Sequence, residues 1–306
     1  MDKLNASHIT LSGHVEINKY RYLYFFILLL VFILIILTNC TIVYLIWIHK
    51  NLHEPMYIFI AALLLNCVLY STTIYPKLLI DFLSKQQIIS YSACLFQYFL
   101  FYSLGGSEFL LLAAMAYDRY VSICKPLIYT TIMRKTTVKI ILILAWFLPA
   151  SHLAVQAIIS GGAKICNLEL KAIFCNNAIH ALNCVSSRTL TIFGLLVLLI
   201  VVLLPVLFTI FTYTKIIVIA YRSCKEFRRK AAETCLPHLL VLISTFWLVT
   251  YDVIIARVES NFPKTARLIL TLQIIIYHPL FNPFIYGFKM KEIYKHLKKL
   301  FRSTKV

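Results

Sequence analysis

The sequence predicts an all-α membrane protein: a seven-transmembrane helix bundle with its N-terminus outside and a short amphipathic helix in its cytoplasmic tail. The chain has 306 residues, 61% of them hydrophobic, and a mean hydropathy of +0.83, whereas soluble domains are roughly 45 to 50% apolar. Charged residues are sparse, and seven long uncharged stretches separate them. Each stretch is near the roughly 20 apolar residues that cross a bilayer as a helix.

The flanking charges set the limits of the seven spans, which form a single domain over residues 1–306. An extracellular segment, 1–21, precedes them, and a cytoplasmic tail, 289–306, follows. Helices satisfy their own backbone polar groups in hydrocarbon, whereas membrane-crossing β-strands would be about half as long and would alternate polar with apolar residues. The predicted spans are 22–48, 55–80, 92–119, 140–160, 189–214, 234–256 and 268–288.

Basic residues predict the orientation. With the N-terminus outside, 19 of the 30 Lys and Arg residues lie in cytoplasmic segments, as the positive-inside rule favours. The first 20 residues are polar, so we expect no cleavable signal peptide and expect 22–48 to act as a signal anchor. Asn5 begins an Asn-Ala-Ser glycosylation acceptor on the outer side. In the tail, FKMKEIYKHLKKLF has apolar residues at i, i+4, i+7 and i+8, which predicts an amphipathic helix on the inner leaflet.

Cysteine positions support the same topology. Four of the 9 cysteines fall in the predicted exterior, an even number in an oxidising compartment, so two disulfides are expected. Four cysteines allow three pairings, and their spacing does not choose among them. These residues are Cys94, Cys166, Cys175 and Cys184.

Several functional classes lack their sequence signals. The net charge of +18 is not gathered with groove-entering elements, so it does not indicate nucleic acid. No internal repeat suggests a transporter, and no polar ring suggests a channel filter. The 9 histidines show no metal-ligand or catalytic spacing, so we expect no enzyme activity and no cofactor, and we interpret His152, His238 and His278 as isolated polar positions. Residues 268–288 contain no lysine that could hold retinal.

Five motifs occur in order along most of the chain: LHEPMYIF at 52–59, PKLL at 76–79, MAYDRYVSICKPLIY at 115–129, KAAETCLPHL at 230–239 and PLFNPFIY at 279–286. Together they resemble the vertebrate odorant receptors of the rhodopsin-like G-protein-coupled receptor superfamily, and the second span is closest to the fish type. The resemblance implies a small-molecule odorant, a stimulatory heterotrimeric G protein, cyclic AMP as output, and the plasma membrane of olfactory sensory neurons. The alternatives are a non-olfactory chemosensory receptor of the same superfamily and a membrane transporter.

The resemblance assigns a switch to the Asp118-Arg119-Tyr120 motif at the end of span three. Ionisable residues within a membrane are costly and are functional candidates by default. The family implies that Arg119 is restrained at rest and is released to meet the G protein. The alternative is that Arg119 only extends to the membrane interface and anchors the topology.

Span seven carries a second implied switch in the Asn282-Pro283 motif. The proline removes a backbone donor, and we expect Asn282 to compensate by hydrogen bonding. The family implies that Tyr286 turns inward on activation and approaches Tyr213 in span five. The alternative is a plain proline kink.

Glu108 is predicted to lie near mid-membrane in span three. Odorant receptors commonly pair this acid with a second acid in span two to hold a cation, but here the matching position is Cys67. A sodium site at Glu108 is therefore weakened. The family also implies which cysteines pair, Cys94 with Cys175 and Cys166 with Cys184, so that the long outer loop becomes a braced lid.

Ligand recognition is expected in the outer halves of spans three, five, six and seven, in an apolar cavity with few polar groups. Aromatic side chains at helical spacing can equally be core packing. The candidates are Tyr98, Phe101, Tyr102, Gly105, Val197, Leu198, Val201, Val249, Thr250, Val253, Arg257 and Leu272.

Two of these positions have alternative interpretations. The Gly105-Gly106 pair either opens space for a ligand or allows close helix packing. Arg257 either holds an anionic odorant with its planar guanidinium or lies on the outer surface, paired with Glu259 or Asp252.

Overall fold

A computed structural model describes residues 8–185, 188–222, 225–255 and 263–303. Asn5 and Arg257 lie outside these ranges. The backbone of Val253 is described, but its side chain is not. The helices are α1 (Ile17–Ile48), α2 (Pro55–Leu83), α3 (Tyr91–Cys124), α4 (Tyr129–Ile132), α5 (Lys135–Gly161), α6 (Arg188–Leu198), α7 (Leu204–Tyr221), α8 (Lys225–Ile255), α9 (Lys264–Lys289) and α10 (Lys291–Ser303).

The helices confirm the predicted seven-helix bundle. Among the described residues, six helices are long and apolar enough to cross a membrane. One of them is Arg188–Tyr221, in which a π-helical turn, Leu199–Leu203, joins α6 to α7. The seventh is α8, with its apolar part at His238–Thr250. Several helices extend beyond the predicted limits of the spans. Helical hydrogen bonding continues into the charged flanks outside the hydrocarbon, whereas the predicted spans were bounded by charged residues.

A lid closes one end of the bundle, called here the sheet end. The strand β1 (His8–Leu11) pairs with β2 (Ile88–Ser90) in antiparallel and with β3 (Glu169–Leu170) in parallel orientation. Gln97 of α3 accepts a 3.0 Å hydrogen bond from the Cys175 backbone and donates one of 3.0 Å to the Thr73 carbonyl. The lid is therefore attached directly to α3 and α2.

Both disulfides implied by the resemblance are present in the structure. Cys94 at the start of α3 is joined to Cys175, and Cys166 is joined to Cys184 within the lid loop. The cysteines of the first bond are 81 positions apart in the sequence, and those of the second are 18 apart. The loop between α5 and α6 is thus held over the end of α3.

Two prolines in α9 explain two contacts between helices. Pro279 and Pro283 lack an N–H, so the carbonyls of Ile275 and Pro279 lose their helical donors. The Tyr75 hydroxyl donates to the Ile275 carbonyl at 3.3 Å, and the Asn39 amide donates to the Pro279 carbonyl at 2.7 Å. The prediction that Asn282 compensates for Pro283 is wrong, because Asn39 of α1 supplies that bond and the Asn282 side chain points elsewhere.

Candidate ligand cavity and signalling end

A cavity of about 470 Å³ lies below the lid, among α3, α5, α6, α8 and α9. Ligand sites in proteins are typically clefts or cavities of about 300 to 1,000 Å³. Eight of the twelve predicted contact residues line it, although contact with a ligand stays a prediction. They are Tyr98, Phe101, Tyr102, Gly105, Val197, Leu198, Val201 and Val249.

Thr250 and Leu272 are not among the residues that line the cavity. Residues four apart share one face of a helix, and α8 presents Thr245 and Val249 to the cavity, so Thr250 is rotated away from that face. On α9 the corresponding pair is Ile274 and His278. Leu272 instead packs against an apolar cluster between helices.

The lid adds polar groups that sequence reasoning missed. His180 lines the cavity together with Gln156 of α5, and its Nε2 atom is 3.4 Å from both the Gln156 amide nitrogen and the Tyr98 hydroxyl. Burial lowers the pKa of His180, so the ring is neutral at physiological pH. The Asn177 backbone donates to the Tyr102 hydroxyl at 2.9 Å. No sequence pattern indicated these contacts, because they depend on how an irregular loop folds back onto the bundle.

The two adjacent glycines of α3 have different roles. A Cβ atom added to Gly105, which lines the cavity, would meet nothing within 4 Å. A Cβ atom added to Gly106 would lie 2.6 Å from Val201 and 3.0 Å from Pro149. Gly105 therefore leaves room in the cavity, and Gly106 allows α3 to pack closely against its neighbours.

A buried polar cluster forms the floor of the cavity. Glu108 is 5% exposed and accepts a 3.2 Å hydrogen bond from the Asn282 amide. The His278 Nδ1 atom lies 3.4 Å from the same Glu108 oxygen and 3.1 Å from the Thr245 hydroxyl. Asn282 also donates to the Cys67 sulfur at 3.3 Å. The interpretation of His278 as an isolated polar position is therefore wrong.

The groups around Glu108 do not fit a sodium ion. Hard cations prefer oxygen ligands, but Asn282 and His278 present nitrogen atoms to the carboxylate, and Cys67 presents a thiol. Within the described ranges, no group of three or more His, Cys, Asp or Glu side chains could hold a metal ion.

At the opposite end of the bundle, called here the signalling end, Asp118 holds Arg119. Asp118 is fully buried, and one of its oxygens lies 3.1 Å from Nε and 2.5 Å from Nη2 of Arg119. The Tyr129 hydroxyl donates to the other oxygen at 2.8 Å. Burial, together with the charge of Asp118, raises the pKa of Tyr129. The neighbouring Tyr120 is half-buried and lies below the Lys125 ammonium.

Tyr213 of α7 and Tyr286 of α9 lie deep in the bundle near the signalling end. They are 3% and 0% exposed, and neither hydroxyl has a hydrogen-bond partner among the described residues. The Tyr286 ring also packs against His238 of α8, with 5.4 Å between ring centroids. Buried hydroxyls without partners are rare, so each of these two groups would gain from a hydrogen-bond partner.

A seven-helix bundle with a disulfide-braced lid, a cavity below it and a restrained Asp118–Arg119 pair defines the class of rhodopsin-like G-protein-coupled receptors. A family model described as olfactory receptor matches residues 28–304. The chain is 32% identical to human olfactory receptor 52K1 over 272 residues, covering 88% of this chain and 87% of that receptor. It is 31% identical to human olfactory receptor 13C2 over 297 residues, covering 95% and 92% respectively. The chain belongs to the olfactory receptor family, whose members are signalling receptors and not enzymes.

Proposed function

We propose that the protein is an odorant receptor that binds a small molecule in the cavity below the lid and activates a stimulatory heterotrimeric G protein. The observation that carries this proposal is the cavity itself. It has a volume of about 470 Å³, suited to a small organic ligand. It also ends at Glu108, whose hydrogen-bond partner Asn282 precedes the proline of the α9 motif.

In this proposal, aromatic and aliphatic side chains of the cavity bury the apolar part of the odorant, and polar groups fix its orientation. A ligand can shift an equilibrium only as far as its affinities for the two states differ. The residues that can respond to a ligand lie on α3, α8 and α9, which also carry the signalling end and the proline motif. Tyr102 and Val249 represent the cavity wall on α3 and α8.

The output is release of Arg119 from Asp118. At rest, Asp118 and Tyr129 form one hydrogen-bonded group with Arg119, so the guanidinium is not free to meet a partner. Activation moves Arg119 towards the G protein, while Tyr213 and Tyr286 gain the contacts that their hydroxyls lack here. Asn282 and Pro283 give α9 the local distortion that such a movement needs.

The proposed setting is the plasma membrane of olfactory sensory neurons, with the sheet end outside and the signalling end in the cytoplasm. Both disulfides lie at the sheet end, which agrees with an oxidising exterior. The sequence predicts the glycosylation acceptor Asn5, which lies outside the described residues, on that side as well. The helix α10 follows α9 directly and carries most of the basic residues of the cytoplasmic tail, 289–306. Such a distribution is expected for a helix that lies on the surface of an anionic lipid layer.

The test is a cyclic AMP assay in cells that express the receptor with an olfactory stimulatory G protein. A panel of neutral, acidic and basic odorants is applied to the wild type and to Arg119→Ala, with surface amounts measured by antibody. We expect some odorants to raise cyclic AMP through the wild type only. If the wild type reaches the surface and no compound raises cyclic AMP, or if Arg119→Ala responds equally, the proposal is wrong.

A further inference from the structure

The cavity floor contains a carboxylate with spare capacity for a hydrogen-bond donor. Glu108 is 5% exposed and lines the cavity. Its contacts with the Asn282 amide and with His278 both end on Oε1, at 3.2 Å and 3.4 Å. Among the described residues, no hydrogen bond ends on Oε2. A buried carboxylate is costly unless it is paired and hydrogen-bonded.

The hydrogen bonds of Thr245 fix which nitrogen of His278 carries a proton. The Thr245 hydroxyl donates to the Val241 carbonyl at 2.8 Å, so it can only accept from His278 Nδ1, which lies 3.1 Å away. Nδ1 therefore carries a hydrogen and directs it towards Thr245 and Glu108. At the floor of the cavity, the N–H groups of Asn282 and His278 therefore both point to Oε1 of Glu108.

The charge inventory of the cavity favours a cationic ligand. Of the described residues that line it, Glu108 is the sole acid and none is lysine or arginine. Two histidines also line it. His278 already directs its Nδ1 hydrogen towards Thr245 and towards Oε1 of Glu108, and burial lowers the pKa of His180 at the lid. A carboxylate ligand would place a second acid beside Glu108, and an alcohol would offer Oε2 only a neutral donor, whereas an ammonium group offers a charged one.

The shape of the cavity sets a limit on the ligand. Tyr98 near the lid and Glu108 at the floor are ten residues apart on α3, about 15 Å along the helix axis. Between them the wall contains aromatic and aliphatic side chains: Phe101 on α3, Val201 in the π-helical turn and Val249 on α8. A molecule that fills this space has an extended apolar body and one polar head.

We propose that this cavity takes a small amphiphilic amine, whose ammonium group is held by Glu108 and whose apolar body lies along the wall towards the lid. The inference rests on the proposed function, since it takes the cavity as the ligand site. The ammonium donates to Oε2 and competes with His278 for Oε1. The ammonium thereby loosens the contact between Glu108 of α3 and His278 of α9. His278 lies four residues before Asn282.

The experiment measures binding without a G protein. Purified receptor in lipid nanodiscs is unfolded thermally at neutral pH with hexylamine, hexanol or hexanoate, three probes that share a chain and differ in the head group. We expect hexylamine to raise the Tm of the wild type most. Glu108→Gln weakens hexylamine binding by about 30-fold or more, because a charged partner is removed, and leaves the small effect of hexanol unchanged. Glu169→Gln, an exposed acid on β3, is the matched control and keeps the hexylamine shift.

Three results overturn the proposal: no shift with hexylamine, a hexanol or hexanoate shift as large as that of hexylamine, or an equal hexylamine shift in Glu108→Gln. If Glu108→Gln does not fold, the three probes on the wild type decide, together with Glu108→Asp, which must keep the preference for the amine. Failure of the proposed function is distinguishable, since it appears as an absence of cyclic AMP signalling with every class of odorant.

Discussion

Replacement of Tyr129 by phenylalanine tests how the signalling end is held at rest. The hydroxyl donates a 2.8 Å hydrogen bond to the buried Asp118, and because the pKa of Tyr129 is raised by burial and by Asp118, it keeps its proton. Hydrogen bonds to charged groups contribute about 1.5 to 3 kcal/mol, and the partial exposure of Tyr129 places this bond near the lower limit. If the bond exists only at rest, its loss shifts the equilibrium towards the active state about tenfold.

The assay is ligand-free cyclic AMP production per receptor at the cell surface. Tyr129→Phe is expected to raise it by up to about tenfold. Tyr44→Phe is the matched control, because Tyr44 of α1 is 52% exposed and faces outward from the bundle, and it should have no effect. Unchanged ligand-free signalling by Tyr129→Phe, at equal surface amounts, would refute the idea that this bond restrains the resting state.

Three further predictions concern stability. Gly106→Ala should lower the free energy of unfolding by about 1 to 3 kcal/mol through overpacking. Gly105→Ala, whose Cβ atom would lie in open space, should unfold at the same temperature as the wild type. Equal Tm values of the two variants would contradict this. Asn39→Leu leaves the Pro279 carbonyl of α9 unpaired and should lower the free energy of unfolding by about 1 to 2 kcal/mol. Thr38→Val is the control, because the Thr38 hydroxyl donates only to carbonyls of α1. Equal Tm values of the two variants would count against the prediction. Burial lowers the pKa of His14 to about 4 from 6.5, so docking of the N-terminal segment should be fully stable above pH 6.5 and should lose about 3 kcal/mol as the pH falls to 4. Because amide exchange itself slows as the pH falls, the quantity to compare is the protection factor, the exchange rate relative to that of an unstructured peptide at the same pH. Protection factors of residues 8–11 should be lower at pH 5 than at pH 7 in the wild type but not in His14→Phe, and wild-type protection factors that do not change with pH would contradict it.

Much of the bundle could be predicted because hydrocarbon imposes a simple rule. A span must be long, apolar and helical, so sparse charges mark its limits, and the resemblance supplied the pairing of Cys94 with Cys175 that spacing left open. Tyr98 and Val201, expected from their place in the outer halves of spans three and five, do line the cavity, although ligand contact stays a prediction. Thr250 does not line it, because the rotation of α8 about its own axis is set by packing and not by the residues that bound the span.

The polar contacts could not be predicted, because each joins residues far apart in sequence. Asn39 and Pro279 are 240 positions apart, and Asn282 and Glu108 are 174 apart. The Asn282 prediction assumed a local bond, but the carbonyl freed by Pro283 faces α1. His278 was interpreted as isolated because no spacing pattern links a histidine of span seven to an acid of span three.

Whether a ligand in the cavity acts through Arg119 can be decided by measuring ligand binding and G-protein nucleotide exchange on the same purified variants. An odorant that activates the wild type is applied to Gly105→Leu, which fills the cavity, and to Arg119→Ala, which leaves the cavity intact. We expect Gly105→Leu to lose both ligand binding and nucleotide exchange, and Arg119→Ala to keep ligand binding but lose nucleotide exchange. Activation of Gly105→Leu with unchanged potency would contradict it.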